Sequence, residues 1–121
     1  MGKLTTHILD TAHGKPASGV HISILAERGG AWVALGTAIT NSDGRCDVPL
    51  LQDAALSIGR YRLVFHIGPY FRAHVHALGQ AAEQPAFLDD VPIEFGVSDA
   101  TAHYHVPLLV TPWSYSTYRG S

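Results

Sequence analysis

His103 and His105 stand two residues apart in HYHVPLLV, close to the end of a 121-residue chain. On a strand, residues i and i+2 project from the same face, so this spacing sets two imidazoles side by side. Such a pair can bind zinc or share a proton in acid–base chemistry. On spacing alone it can equally be a pair of ordinary surface histidines. Zinc would need a third ligand, and no other residue is singled out for that role. His74 and His76 repeat the spacing inside AHVHALGQAAEQ, which lacks strand alternation, and they read as bland. His7 lies in TTHILD with Thr5 and Leu9 on its face, the mark of a half-buried strand. His13, His21 and His66 carry no pattern and read as surface positions.

Arg45 follows the turn Ser42-Asp43-Gly44, which sets it at the mouth of a strand. Its planar fork of donors suits an imide or a carboxylate, although a plain surface arginine fits the same local context. Ser121 could act as a nucleophile beside a histidine, yet no G-x-S-x-G elbow surrounds it. Cys46 sits between Arg45 and Asp47 without a catalytic cysteine signature and reads as a small buried filler. The last seven residues, YSTYRGS, hold Tyr115, Tyr118 and Arg119, side chains that suit a pocket wall better than a fraying tail. Taken singly, none of these residues decides a function.

The elements that must position them are short alternating runs separated by turn signals, the spacing of an all-β sandwich. Leu4 to Leu9 alternates until GKPASG breaks it. Val20, Ile22 and Ile24 share one face of the next strand. WVALGTAIT (32–40) ends at the turn NSDG, and RCDVPLL reads as a short strand after it. RYRLVFHIG (60–68) puts Tyr61, Leu63, Phe65 and Ile67 on one side. VPIEFGV (91–97), HYHVPLLV (103–110) and a final edge strand in SYSTYRG complete seven or eight strands. Pro107 lacks a ladder donor, so its strand is expected to be an edge or bulged there. AHVHALGQAAEQ (73–84) is alanine-rich and is the expected place for one short helix.

Residues 1–121 read as a single domain, 46% apolar and 15% charged, long enough to bury its own core. A formal charge of −2 offers no attraction for nucleic acid or an anionic membrane. No apolar run approaches a membrane span. One cysteine excludes an internal disulfide. The opening MGKLTTHILD has no hydrophobic signal core, so an unprocessed cytoplasmic protein is expected.

Together, LTTHILD followed by GKPASGV, the central SDGR, GRYRLVF with PYF, and the closing HYHVPLLVTPWSYSTYRGS resemble the transthyretin-related family across nearly the whole chain. Within that family, the closing YRGS is similar to the mark of the 5-hydroxyisourate hydrolases of purine degradation. The stretch AHVHALGQAAEQ departs from the family in being longer. The resemblance implies a transthyretin-like sandwich of two four-stranded sheets, assembled as a homotetramer (a dimer of dimers) with active sites where dimers meet. It implies hydrolysis of 5-hydroxyisourate to 2-oxo-4-hydroxy-4-carboxy-5-ureidoimidazoline without metal or organic cofactor. It also carries over His7, Arg45, His105 and Ser121 as catalytic residues, and His7, Arg45 and Tyr118 as substrate-binding ones, with Arg119 and Gly120 completing the tetrapeptide. In that role Ser121 would act by its hydroxyl or a terminal carboxylate. The alternative is a non-catalytic small-ligand carrier of the same fold; a zinc-binding sandwich using His103 and His105 is a third reading.

Overall fold

A computed structural model describes residues 2–74 and 85–121. Alternating apolar residues make strands here because every second side chain can be buried while the ladder satisfies the backbone. In chain order they are β1 (Lys3–Asp10), β2 (Lys15–Pro16), β3 (His21–Arg28), β4 (Ala31–Ile39), β5 (Leu51–Gln52), β6 (Gly59–His66), β7 (Asp90–Val97), β8 (His103–Val110) and β9 (Tyr115–Thr117). Among the described residues a single α-helix, α1 (Ile67–Arg72), follows β6, and a 3-10 turn at Asp53–Ala55 follows β5. One sheet runs β2-β1-β8-β9 and the other β4-β3-β6-β7. The first has a fifth member, because β5 adds two residues against the start of β1.

The two sheets close over a shared core. Leu4, Ile8, Tyr104, Val106, Leu108 and Val110 enter it from one sheet, and Ile22, Ile24, Tyr61, Leu63, Phe65 and Val91 from the other. Each fully buried aliphatic or aromatic side chain contributes about 1.5–3 kcal/mol. β1 and β8 pair in parallel, with Thr5 opposite His105 and His7 opposite Pro107. Leu4 and Tyr104 point into the core, so their neighbours Lys3, Thr5, His7, His103 and His105 point out of it. The candidate chemistry therefore sits on the outer face of the first sheet.

Two expectations shift. RCDVPLL is not a strand until Leu51: before β5 begins, the chain is tied to β1 at Gly44 and again at Leu50. The Ile8 N–H donates to the Gly44 carbonyl at 2.8 Å and the Leu50 N–H to the Leu4 carbonyl at 2.8 Å. Between those ties residues 45–49 bow outward and leave Val48 exposed. Pro107 does not lie on an edge strand, since β8 is flanked by β1 and β9. The Gly120 N–H donates to the His105 carbonyl, so the β8 backbone groups two residues on, at Pro107, also face β9. Pro107 has no N–H to give there, and the β8–β9 ladder stops at Leu108–Thr117 and returns only as the His105–Gly120 bridge. A short helix occupies IGPYFR, just before that stretch, where Pro69 fits the first turn of a helix; of the helix expected over 73–84, only residues 73 and 74 are described. Residues 75–84, with His76, lie outside the described residues.

Candidate functional site

Asn41 and Gly44 decide where Arg45 goes. The Asn41 side-chain oxygen accepts the Asp43 N–H at 2.9 Å and the Arg45 N–H at 3.2 Å, and the Asn41 N–H donates to the Arg45 carbonyl at 2.7 Å. Gly44 holds φ at +74°, and a Cβ there would meet the Ile8 carbonyl oxygen at 2.4 Å. Only glycine takes that conformation cheaply at so close an approach. The turn is thus pressed onto β1, and Arg45 emerges beside the outward face of Thr5.

A hollow of about 340 Å³ opens there, lined by Thr5, Arg45, Cys46, His103, His105 and Ser121. His105 is half-buried and His103 exposed. Thr5 Oγ1 lies 2.7 Å from Nε2 of His103 and 2.8 Å from Nδ1 of His105. The two rings are 6.3 Å apart between centroids, so the hydroxyl, not a direct contact, connects them. The His105 pKa is pushed below its ordinary 6.5, first by burial and then by the positive charges of Arg45, His103 and His7. It is therefore neutral, and able to accept a proton, at neutral pH. His7 is half-buried on the same face, two residues along from Thr5. Burial, with Asp47 beside it, raises the Cys46 thiol pKa, which keeps it protonated and fits a filler better than a nucleophile.

The closing tetrapeptide divides. A Cβ on Gly120 would stand 2.4 Å from Cδ2 of His105, so the imidazole rests on bare backbone there. Ser121 lies at the hollow. Tyr118 does not: it is exposed and lines a separate hollow of about 260 Å³ with Arg119, Tyr104 and Phe95. The Arg119 guanidinium sits over the Tyr104 ring at 4.3 Å. For the zinc reading, His103 and His105 each spend a ring nitrogen on Thr5, and among the described residues no group of three metal-ligating side chains gathers.

A sequence profile of the HIUase/Transthyretin family matches residues 4–120. The chain belongs to that family. A protein of Ralstonia nicotianae named 5-hydroxyisourate hydrolase is 53% identical over 121 residues, covering 100% of both chains. A crystal structure described as (S)-allantoin synthase matches 99% of this chain at 40% identity and a TM-score of 0.87; this chain spans 44% of that longer one. The structure of Klebsiella pneumoniae 5-hydroxyisourate hydrolase matches over 100% of both chains at 35% identity and a TM-score of 0.74.

Sequence reasoning missed two residues of the arrangement and the part that a third plays. Thr5 was visible only as a face-mate of His7, because its role depends on β8 pairing beside β1 in register. Asn41 acts through its side-chain oxygen and its N–H on the backbone of the turn, and Gly120, named with the tetrapeptide, acts through bare backbone under His105. His13 was misplaced outright. Its side chain is 9% exposed and bonds the fully buried Asp10 at 2.5 Å, so it is no surface histidine. His66 is half-buried too, between Ser23 at 2.8 Å and Asp90 at 2.7 Å.

Proposed function

We propose that this chain hydrolyses 5-hydroxyisourate to 2-oxo-4-hydroxy-4-carboxy-5-ureidoimidazoline in urate degradation. The observation that carries the reading is the meeting of Arg45, His105 and Ser121 at one hollow beside His7, in a chain whose full-length relatives bear that activity's name. Water attacks the carbonyl carbon of the ring amide, and a neutral imidazole takes its proton. His105 fits that task because its surroundings disfavour the charged form; His7 shares the proton traffic. The carbonyl oxygen becomes an oxyanion, which the Arg45 guanidinium stabilises. The carbon–nitrogen bond then breaks and the nitrogen receives a proton. The product carries a carboxylic acid and a ureido nitrogen that is not basic, so the acid's proton leaves for solvent at neutral pH. Ser121 orients the water or a histidine, and the chemistry calls for no cofactor.

In this reading the enzyme is a cytoplasmic homotetramer, a dimer of dimers. Support for assembly comes from the exposed aromatic side chains of Trp113, Tyr115 and Tyr118 along the β8–β9 end. Tyr118 positions the substrate ring only if the tail shifts or a neighbouring subunit presents it, because within one chain it faces another hollow. Among the described residues no helix is long and apolar enough to cross a membrane. The test is to generate hydroxyisourate with urate oxidase and follow its ultraviolet decay. Acceleration by this protein is expected. Binding without acceleration would overturn the reading in favour of a small-ligand carrier.

A further inference from the structure

We propose that Thr5 is a positioning residue that ties the tautomers of His103 and His105 together, so that the pair handles the reaction's proton as one unit. The proposal rests on the hydrolase reading for its consequence, and on geometry for its existence. A hydroxyl has one proton to give and two lone pairs to accept with. Oγ1 of Thr5 faces Nε2 of one ring and Nδ1 of the other, both within hydrogen-bond reach. With both rings neutral and the threonine proton given to one of them, Thr5 donates to one nitrogen and the other nitrogen must donate to it. Fixing one tautomer fixes the other.

Two arrangements result. In the first, His105 donates Nδ1–H to Thr5, Thr5 donates to Nε2 of His103, and Nε2 of His105 is bare, the form a general base needs. In the second, Thr5 donates to Nδ1 of His105, whose proton sits on Nε2, the form that can donate. The hydroxyl's direction thus selects between base and acid.

The same chain gives the released proton a way out. When Nε2 of His105 takes the proton of the product carboxylic acid, the ring becomes an imidazolium. Its Nδ1–H passes to Oγ1 of Thr5 as the threonine proton passes to Nε2 of His103. His103 is exposed and sheds its Nδ1 proton to water. Once the hollow is empty, His103 gains a proton at Nδ1, its Nε2 proton returns to Oγ1 of Thr5 as the threonine proton returns to Nδ1 of His105, and Nε2 of His105 releases one to water, which restores the first arrangement with no net change. The groups facing the pair are His7 and Lys3 from β1, Arg45 from the turn before β5, and Ser121 from the chain end. Among the described residues no carboxylate bonds either ring, so the hydroxyl is what links them.

The experiment compares Thr5→Val, which keeps the branched shape a strand favours but removes the hydroxyl, with Thr5→Ser, which keeps the hydroxyl. Thr5→Val is expected to lose kcat by about tenfold or more with KM nearly unchanged, whereas Thr5→Ser recovers most of it. Nitrogen-15 imidazole spectra supply a readout that needs no turnover. In the wild type, His103 and His105 are expected to titrate as a linked pair with complementary tautomers, and in Thr5→Val independently. Unchanged tautomers and titration in folded Thr5→Val would overturn the proposal. So would a serine variant as slow as the valine one. If the wild type does not act on hydroxyisourate, the hydrolase reading fails, while the spectra still decide the tautomer link.

Discussion

The two ends of β1 each hold a histidine network, and they differ in the group at the centre. Near the start, the neutral hydroxyl of Thr5 joins His103 and His105 beside an open hollow. At the finish, the buried carboxylate of Asp10 takes four hydrogen bonds. Oδ1 accepts the N–H groups of Ala12 and His13, both at 3.0 Å, and Oδ2 accepts Nδ1–H of His13 at 2.5 Å and the Tyr70 hydroxyl at 2.7 Å. Burial, then the bond to Asp10, pushes the Tyr70 pKa upward, so that hydroxyl stays protonated and keeps donating. An ionised carboxylate only accepts, and it therefore fixes the direction of every bond around it. A hydroxyl both gives and accepts, and the bonds around it can reverse. One strand carries a lock at one end and an adjustable joint at the other.

The largest effect should come from breaking the lock. Asp10→Ala leaves His13 and Tyr70 buried without their acceptor and is expected to cost about 3–5 kcal/mol, the scale for removing one partner of a buried pair. Urea denaturation measures it, and turnover per folded molecule should stay close to wild type. A variant with normal stability would erase the distinction between the two ends. Next come the residues of the joint. His105→Ala and His7→Ala should each lower turnover by about a hundredfold or more, the usual loss for a general acid or base. Their stability should shift by no more than about 1 kcal/mol, as expected for a partly exposed residue outside the core. Near-normal hydrolysis in either would mean that histidine is misassigned.

Gly120→Ala sharpens the comparison from the backbone side. The new methyl would press on Cδ2 of His105, and the ring must move to admit it. A displacement of this kind, far smaller than deletion of the ring, is expected to cost about ten- to a hundredfold in rate. Turnover and circular dichroism together test it; full activity would show that the ring's seat on Gly120 is not required.

What the sequence exposed and what it hid follow the same physical line. Period-two alternation placed Leu4, Ile22, Leu63 and Tyr61 in the core, because burial on one face is written directly into residue type. The spacing of His103 and His105, read with β8 as a strand, put both rings on one face as observed. The turn SDG located Arg45. Hidden were contacts across β1 and β8 between residues far apart in the chain, such as Thr5 to His105, 100 residues on. Nothing in TTHILD says which strand will lie beside it. His13 was hidden for a related reason: its partners Asp10 and Phe71 belong to different elements, and α1 has to dock before Phe71 stacks on its ring. RCDVPLL misled because alternation cannot show that the chain meets β1 at Gly44 and returns to it only from Leu50 onward.

The smallest expected effect is on pH dependence, and it tests which force keeps His105 neutral. Burial is the first cause of its lowered pKa and the nearby cations are the second. The neutral ring is the base, so kcat/KM should hold as pH drops past the ordinary histidine value of 6.5 and decline only below it. The sign for stability is the same. Because folding disfavours the charged ring, the native state is fully stable with respect to this group above 6.5 and loses stability as pH falls through the lowered value. Added salt separates the causes. It screens Arg45, His7 and His103 but not burial, so the acid limb should move to higher pH and still stay under 6.5. A limb that reaches the ordinary histidine position in salt would mean that charge, not burial, keeps the ring neutral. A limb that ignores salt would remove the cations from the account and leave the half-buried ring to desolvation alone.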